Sequence, residues 1–245
     1  MTPAPHTITR HRHDLRRRSA TVLEVRDLTP RMRRITLASP DLHDFTSLAP
    51  DDHVRLFFAQ ADGAEPVTRD FTPRAYDNAR QTITLDFALH GAGPASEWAS
   101  AAAPGATLDI GGPRGSFIVP DDFDWYLLAG DESALPAIGR RVEQLRPGVP
   151  VLTAVLLADE GERQVLATGA DWQAHWVCRG EPGDQDGALL LEALRPLALP
   201  PGDGFVWIAG EKEMARSVRA YFEDERRHPH DWIKAASYWS RTDGN

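Results

Sequence analysis

Residues 125–145 read WYLLAGDESALPAIGRRVEQL, and this stretch sets the fold class of the second half of the chain. Its first five residues are all apolar, as is typical of a strand buried on both faces of a sheet. Residues 135–145 then place apolar side chains at helical spacing. Further strands are predicted at 151–157, 175–179 and 205–209, and the last leads into a predicted helix over 211–227. Buried strands that alternate with helices predict a parallel sheet in an α/β domain.

The first half of the chain has a different periodicity. Short segments rich in β-branched or aromatic residues, separated by turn signals, predict six strands at 20–27, 32–37, 53–59, 69–74, 82–89 and 107–110. One predicted helix, over 94–103, interrupts them. Six short strands at this spacing favour a small antiparallel barrel. We therefore predict a flexible, arginine-rich arm over 1–19, a β-barrel domain over 20–120 and an α/β domain with a C-terminal extension over 121–245.

Composition excludes several classes of protein. The chain has 245 residues, 42% of them hydrophobic, and a net charge of −9, which argues against a nucleic-acid partner. No apolar run approaches the roughly 20 residues that cross a membrane, and residues 1–18 lack the apolar core of a secretory signal. The single cysteine, Cys178, rules out an internal disulfide and fits a reducing compartment. We expect a cytoplasmic monomer without a membrane partner, and a buried position for Cys178.

The first stretch whose side chains could bind a ligand is RDFTPR at residues 69–74. On a continuous strand Arg69 and Phe71 would share one face, while Thr72 and Arg74 would share the other. An aromatic ring, a hydroxyl and two guanidiniums can stack a ring, hydrogen-bond it and neutralise phosphates. An edge strand with exposed arginines would have the same sequence.

Two glycine-rich segments follow. Residues 90–96 (HGAGPAS) precede the predicted helix, and an exposed helix N-terminus there would attract an anion, although a proline at this point is also ordinary capping. Residues 111–117 (GGPRGSF) suit close approach by a flat or anionic ligand, or a plain turn between domains.

The loop after the first parallel strand is the fourth candidate. Residues 130–134 (GDESA) pass from the strand to the helix, where open α/β sheets bind their ligands. The dinucleotide fingerprint G-x-G-x-x-G is absent, and Asp131 and Glu132 would repel a diphosphate placed directly on them. The nicotinamide end of a coenzyme is easier to reconcile with this loop.

In this order and spacing, the segments resemble the siderophore-interacting proteins of the ferredoxin-reductase-like superfamily. The similarity runs from about residue 20 to 241. It rests on 69–74, on 90–98, on 112–116, on 128–138, on WIAGE at 207–211 and on Tyr238-Trp239. The resemblance implies an FAD-binding barrel followed by a nicotinamide-binding domain.

The resemblance also implies roles for individual residues. Phe71, where many members have tyrosine, would lie beside the isoalloxazine, and Thr72 would bond near its N5 edge. Arg69 and Arg74 would hold the pyrophosphate with the helix N-terminus. The residues implied in FAD binding are Arg69, Phe71, Thr72, Arg74, His90, Gly93, Ala95, Ser96 and Trp98. Those implied in nicotinamide binding are Gly130, Asp131, Glu132, Ser133, Ala134, Asp159 and Glu211.

Three arginines are candidates for contact with an anionic siderophore: Arg55, Arg114 and Arg241. Arg55 stands where relatives commonly have a lysine, and the C-terminal end has one basic residue fewer than the family pattern. Surface solvation is the alternative interpretation of Arg55 and Arg241. Asp159 would favour NADH by binding a ribose hydroxyl, whereas Arg163 could meet a 2′-phosphate instead.

The resemblance thus predicts a ferric-siderophore reductase that passes electrons from NAD(P)H through FAD to iron, with no metal site of its own. Ferredoxin is the alternative electron donor. Three other functions stay open. One is a flavin or ferredoxin-type reductase with another acceptor, and another is a flavin-containing protein that binds a siderophore without turnover. The third is an α/β binding module without flavin, which would leave residues 69–74 unexplained.

Overall fold

The computed structural model describes residues 6–60, 63–89 and 93–241. The chain divides into two compact units, Met1–Val119 and Pro120–Asn245. The sequence placed the division at 120/121. Each unit has its own hydrophobic core.

Antiparallel strands make up most of the first unit. Its described elements are β1 (Thr9–Arg12), β2 (Arg17–Thr29), β3 (Met32–Ala38), β4 (Val54–Phe58), β5 (Val67–Phe71), β6 (Pro73–Asp77), β7 (Thr82–Ala88), α1 (Pro94–Ala101), β8 (Thr107–Gly111) and β9 (Gly115–Ile118). Seven strands form one sheet in the order β5-β4-β8-β2-β3-β7-β6, and β1 pairs with β9 in a separate ribbon. Alternating apolar residues build the core, because Leu85 and Ile83 of β7 lie opposite Ile35 and Leu37 of β3.

The two edge strands of this sheet are neighbours in sequence. β5 ends at Phe71 and β6 begins at Pro73, so only Thr72 separates opposite edges of a seven-stranded sheet. Because successive Cα atoms are about 3.8 Å apart, the two edges come within about 8 Å of each other here. The sheet therefore curls into a half-barrel. The predicted strand over 69–74 is two strands, and the larger sheet has seven strands rather than the six expected.

Part of the predicted flexible arm lies in regular structure. Strand β1 pairs with β9 from Thr9↔Ile118 to Arg12↔Gly115, and β2 begins at Arg17. His13 Nε2 lies 2.8 Å from Ser116 Oγ, which in turn donates to Asp52 at 2.6 Å. Partial burial lowers the pKa of His13, against the opposing effect of Asp52. These long-range contacts explain why part of the predicted arm is ordered, since no local sequence pattern encodes them.

The second unit is a parallel α/β structure. Its strands and helices are β10 (Trp125–Gly130), α2 (Leu135–Gln144), β11 (Pro150–Leu157), β12 (Asp171–Cys178), α3 (Asp186–Leu194), β13 (Gly204–Glu211), α4 (Lys212–Ala220) and β14 (Ile233–Trp239). The strand order is β12-β11-β10-β13-β14, with all pairs parallel. Strands β10 and β13 are buried throughout, as their unbroken apolar runs predict. The predicted fold class, an antiparallel barrel-type domain followed by a parallel-sheet domain, is confirmed.

The second unit differs from the local predictions in four places. The helix expected over 211–227 ends its α-helical part at Ala220 and continues as a π-helical turn, Tyr221–Glu225. Helix α3 was not predicted, and the C-terminal extension contains β14, a fifth strand of the sheet. Cys178 is exposed rather than buried, because β12 is an edge strand with β11 as its neighbour on one side.

No helix in the part of the chain that the structure describes is both long and apolar enough to cross a membrane.

Candidate functional site

The joint between β5 and β6 carries the residues that were predicted to bind FAD. Arg69 lies opposite Leu56 in the β4–β5 ladder and has an exposed side chain. Its guanidinium donates to the Thr68 carbonyl at 2.9 Å, and it forms no ion pair with a described residue. The guanidinium of Arg69 is thus available to an anionic ligand.

Phe71 and Thr72 lie at the joint itself. The half-buried Phe71 ring packs 4.6 Å from Phe87, whose ring lies 5.6 Å from Trp98 of α1. These aromatic contacts fix the position of Phe71. Thr72 is 7% exposed, and its hydroxyl makes no hydrogen bond to any residue that the structure describes.

Arg74 occupies a different environment from Arg69. It is 7% exposed, and its Nε lies 3.7 Å from Asp86 Oδ2. Arg34 donates to both oxygens of the same carboxylate at 2.7 Å. The sequence analysis missed Asp86 and Arg34 as neighbours of this site. The only sequence signal was one carboxylate within the apolar run of β7, which implies a buried ion pair.

The N-terminus of α1 is the second part of the predicted FAD site. Gly93 has φ +129°, a conformation that suits glycine, and Pro94 opens the helix without a side-chain cap. The amide hydrogens of Ala95 and Ser96 therefore have no partner within the helix. A Cβ atom at Gly93 would meet nothing within 4 Å. His90, also predicted here, lies outside the described residues.

These observations fit the FAD that the resemblance implies. The first unit combines an arginine without an ion pair to a described residue, a helix N-terminus without a side-chain cap and the half-buried ring of Phe71. Ser96 resembles Thr72, since it is 8% exposed and its hydroxyl makes no hydrogen bond to a described residue. Mostly buried polar residues whose hydroxyls lack a partner among the described residues are expected where a polar ligand completes the structure.

The predicted chelate contacts differ in their surroundings. Arg55 forms a two-point ion pair with Asp70 across the β4–β5 ladder, with Nε–Oδ1 at 2.9 Å and Nη2–Oδ2 at 3.0 Å. Asp70 raises the pKa of the Arg55 guanidinium above its usual value. Arg114 is exposed after the cis Gly112-Pro113 bond and has no carboxylate partner in the described parts of the chain.

In the second unit, Asp131 is a structural centre at the ends of three strands. It is fully buried, and Oδ1 accepts the Ser133 amide at 2.9 Å. Oδ2 accepts the Glu211 amide at 2.8 Å and the Trp239 indole N–H at 2.9 Å. Its carboxylate therefore connects β10, β13 and β14. Gly130 and Ala134 are buried as well, so Glu132 and Ser133 are the partly exposed residues of the predicted nicotinamide loop.

Glu132 belongs to a buried ion-pair cluster. Arg179, which directly follows β12, donates to Glu132 Oε1 at 2.6 Å and to Asp186 Oδ2 at 2.7 Å. Burial raises the pKa of Glu132 to about 7, with a further increase from Asp131, while Arg179 acts in the opposite direction. The sequence analysis missed Arg179 and Asp186, whose meeting depends on the packing of α3.

Arg241 closes the same cluster. It donates to Glu211 Oε2 at 3.0 Å and to Asp186 Oδ2 at 3.3 Å. Glu211 also caps α4 by accepting the amides of Glu213 and Met214. The side chain of Arg241, predicted to contact a siderophore, is therefore bound to carboxylates of its own unit.

Asp159 and Arg163, the predicted determinants of coenzyme choice, lie in one short loop after β11. Asp159 accepts the Gly161 amide at 2.8 Å, and Arg163 pairs with Glu160. Both side chains are exposed, so both can still meet a ligand.

Sequence families match nearly the whole chain. Residues 21–66 and 60–117 match the siderophore-interacting FAD-binding domain, and residues 123–242 match the family described as siderophore-interacting protein.

Individual relatives match the chain over similar lengths. The NADPH-dependent ferric-chelate reductase of Escherichia coli K12 is 35% identical over 98% of this chain and 99% of that protein. The ferric vibriobactin reductase of Vibrio cholerae serotype O1 is 29% identical over 85% of this chain and 83% of that protein. A siderophore utilization protein from T. fusca superposes with a TM-score of 0.89 at 32% identity, over 96% of this chain and 97% of that one.

Proposed function

The chain belongs to the siderophore-interacting protein family, and from this premise we propose that it is an FAD-dependent ferric-siderophore reductase supplied with electrons by NADPH. The joint of β5 and β6, linked to α1 through the ring contacts of Phe87 with Phe71 and with Trp98, is the observation that carries the proposal. It brings an arginine, an aromatic ring, two mostly buried hydroxyl-bearing residues and the amides of a helix N-terminus without a side-chain cap into one unit. The relatives' names supply the reaction.

Within this proposal each part of the FAD site has a separate task. Arg69 and the amides of Ala95 and Ser96 hold the pyrophosphate. Phe71, which packs against Phe87, would cover the flavin ring. The Thr72 hydroxyl would donate or accept a hydrogen bond at the edge of that ring. Arg74, which Asp86 orients, contributes positive charge to this site from a buried position.

A bound flavin would supply the conversion from a two-electron donor to a one-electron acceptor. In the balanced reaction one NADPH reduces two ferric ions to ferrous ions and leaves NADP⁺ and a proton. Ferrous iron binds hard oxygen ligands more weakly than ferric iron does, so reduction releases it from the chelate. No general acid or nucleophile of the chain is required.

The nicotinamide coenzyme would bind at the C-terminal ends of β10 and β11. Ser133 and the backbone of 130–134 would meet its nicotinamide half, and the loop with Asp159 and Arg163 its adenosine half. Asp131, Glu132 and Glu211 would shape this site from within, because their carboxylates are bonded to protein groups.

The chelate would meet Arg55 and Arg114, and Arg241 would act only if its ion pairs open. We also propose a cytoplasmic monomer, in keeping with its single cysteine. Ferredoxin remains a proposed alternative donor to NADPH.

An anaerobic visible spectrum tests the function. The purified protein with FAD is recorded before and after NADPH, and again after a ferric siderophore. We expect bleaching by NADPH and return of the oxidised spectrum with the chelate. If reduced ferredoxin bleaches the flavin and NADPH does not, ferredoxin replaces NADPH as the donor. A protein that binds no flavin would contradict the proposal.

A further inference from the structure

The outer face of the first sheet carries a row of cross-strand neighbours that includes two arginines. Arg17, Gly111, Arg55 and Asp70 lie side by side on β2, β8, β4 and β5, because each is the cross-strand partner of the next. Opposite residues of antiparallel strands share a face, so these side chains project together. Arg69 lies opposite the buried Leu56 and therefore belongs to the other face.

Both arginines of the row are held by aspartates. Arg55 pairs with Asp70 at 2.9 and 3.0 Å, and Arg17 pairs with Asp109 through Nη2 at 2.8 Å. The Arg17 guanidinium also stacks 4.0 Å from the centre of the Phe57 ring. We name Arg17, Arg55, Phe57, Asp70 and Asp109 the paired-charge face. Its formal charge is zero, and it offers an aromatic ring rather than a free cation.

The binding motif does not determine the residue at position 70, which is Asp70 in this chain. In the family pattern R-x-[YF]-T-x-R, residue 70 occupies the variable first x, so the binding motif does not demand a carboxylate there. Its effect falls on Arg55, the cation proposed to contact the chelate. Among the three arginines of that proposal, Arg114 is the one without a carboxylate partner in the described residues.

Ferric chelates differ in charge by class. Three hydroxamates balance the charge of ferric iron and give a neutral complex, whereas three catecholates leave a trianion. The Asp70 carboxylate repels a trianionic chelate and so offsets its attraction to Arg55. The affinity of a neutral chelate is not reduced by this ion pair. An aromatic ring also offers contact area that does not depend on charge.

We propose that Asp70 is a specificity-determining residue that favours neutral ferric chelates of the hydroxamate class over trianionic tris-catecholates. This inference rests on the proposed function, in which Arg55 contacts the chelate. Asp70 acts by holding Arg55 in a neutral pair, so the chelate's charge decides which substrate binds.

The test compares two probes on the FAD-loaded, full-length protein. Ferrichrome is a neutral ferric trihydroxamate, and ferric enterobactin is a trianionic tris-catecholate. Dissociation constants are measured by fluorescence quenching at two salt concentrations for the wild type, Asp70→Asn and Asp77→Asn. Asp77 is the matched control, since it is an exposed aspartate paired with Arg80 on β6, at the opposite edge of the sheet. FAD occupancy is checked by absorbance in each variant.

We expect the wild type to bind ferrichrome at least about tenfold more tightly than ferric enterobactin. Asp70→Asn should raise the ratio of enterobactin to ferrichrome affinity by about 3- to 10-fold at 0.15 M salt, and less at high salt, because one repelling charge within several ångströms is removed. Asp77→Asn should leave the ratio at its wild-type value.

Equal or tighter binding of the trianion by the wild type would overturn the inference, as would an Asp70→Asn ratio equal to that of Asp77→Asn. The failure of both chelates to bind and to reoxidise the reduced protein is a different result. It would overturn the proposed function and the inference with it.

Discussion

Arg69 and Arg74 show how two identical residues of one motif acquire different surroundings. Arg69 is exposed on β5, whereas Arg74 lies buried beside Asp86 on β6. The motif identified both guanidiniums but placed them on the two faces of a single strand. The break at Thr72 separates them, and Arg69 is the donor that is more accessible to a phosphate.

Arg69→Ala should weaken FAD binding by about tenfold or more, since a charge-assisted hydrogen bond contributes roughly 1.5–3 kcal/mol. The dissociation constant is measured by flavin fluorescence on apoprotein. Arg80→Ala is the control, because Arg80 is equally an exposed arginine but lies in the turn after β6. Equal affinities of the two variants would contradict the assignment of Arg69.

Glu132 provides a prediction on pH. Its pKa is raised from 4.5 to about 7 in the folded protein, so the folded state binds more protons than the unfolded state between these values. The contribution of Glu132 to the free energy of unfolding is therefore greatest at low pH. It falls as the pH rises from about 4.5 through about 7, by at most on the order of 3 kcal/mol.

Glu132→Gln should match the wild type in urea unfolding at pH 5 and exceed it in stability at pH 8. The amide keeps the shape of the side chain without the buried charge. If the free energy of unfolding changes with pH equally in the two proteins, or the wild type is the more stable at pH 8, the ion pair with Arg179 outweighs the cost of burying the Glu132 carboxylate.

Gly93 determines how the chain enters helix α1. Gly93 at φ +129° permits the chain to enter the helix with its amides open. An alanine would meet no atom within 4 Å, so its cost is backbone strain and not a clash.

Gly93→Ala should lower stability by about 1–2 kcal/mol and also weaken FAD binding, because the helix N-terminus is displaced. Gly148→Ala is the matched control, since Gly148 has φ +77° with open space around it in the second unit. It should lose stability without losing FAD affinity. Unchanged FAD binding by Gly93→Ala would remove α1 from the proposed site.

Strand β14 is the element that sequence patterns concealed. Its residues 233–239 (IKAASYW) alternate poorly, and most of them are only partly buried. Pairing with β13 and the hydrogen bond from Trp239 to Asp131 stabilise it in the sheet. Neither contact is visible in a local window, because Asp131 lies 108 residues earlier in the chain.

At the scale of the whole molecule, the two units should respond separately to their ligands. Hydrogen exchange followed by mass spectrometry should show that FAD slows exchange in β5, β6 and α1, whereas NADP⁺ slows exchange around residues 130–134 and 158–163. Protection by FAD confined to the second unit would contradict the proposed division of tasks.

The sequence by itself determined the fold class, because a half-barrel sheet and a parallel sheet have different hydrophobic periods. It also predicted which segments carry chemistry, since RDFTPR, the glycines before α1 and the loop at 130–134 are local patterns. Family membership followed from their order.

Only the tertiary structure decided which charges are neutralised. Arg55 meets Asp70 across a ladder, Arg74 meets Asp86 on β7, and Arg241 meets Glu211 and Asp186. It also decided that residues 9–12 form a strand and that Thr72 joins opposite edges of one sheet. The physical reason is common to all of these. Ion pairs and strand pairings join residues far apart in sequence, and their energy depends on distance and burial, which no local pattern contains.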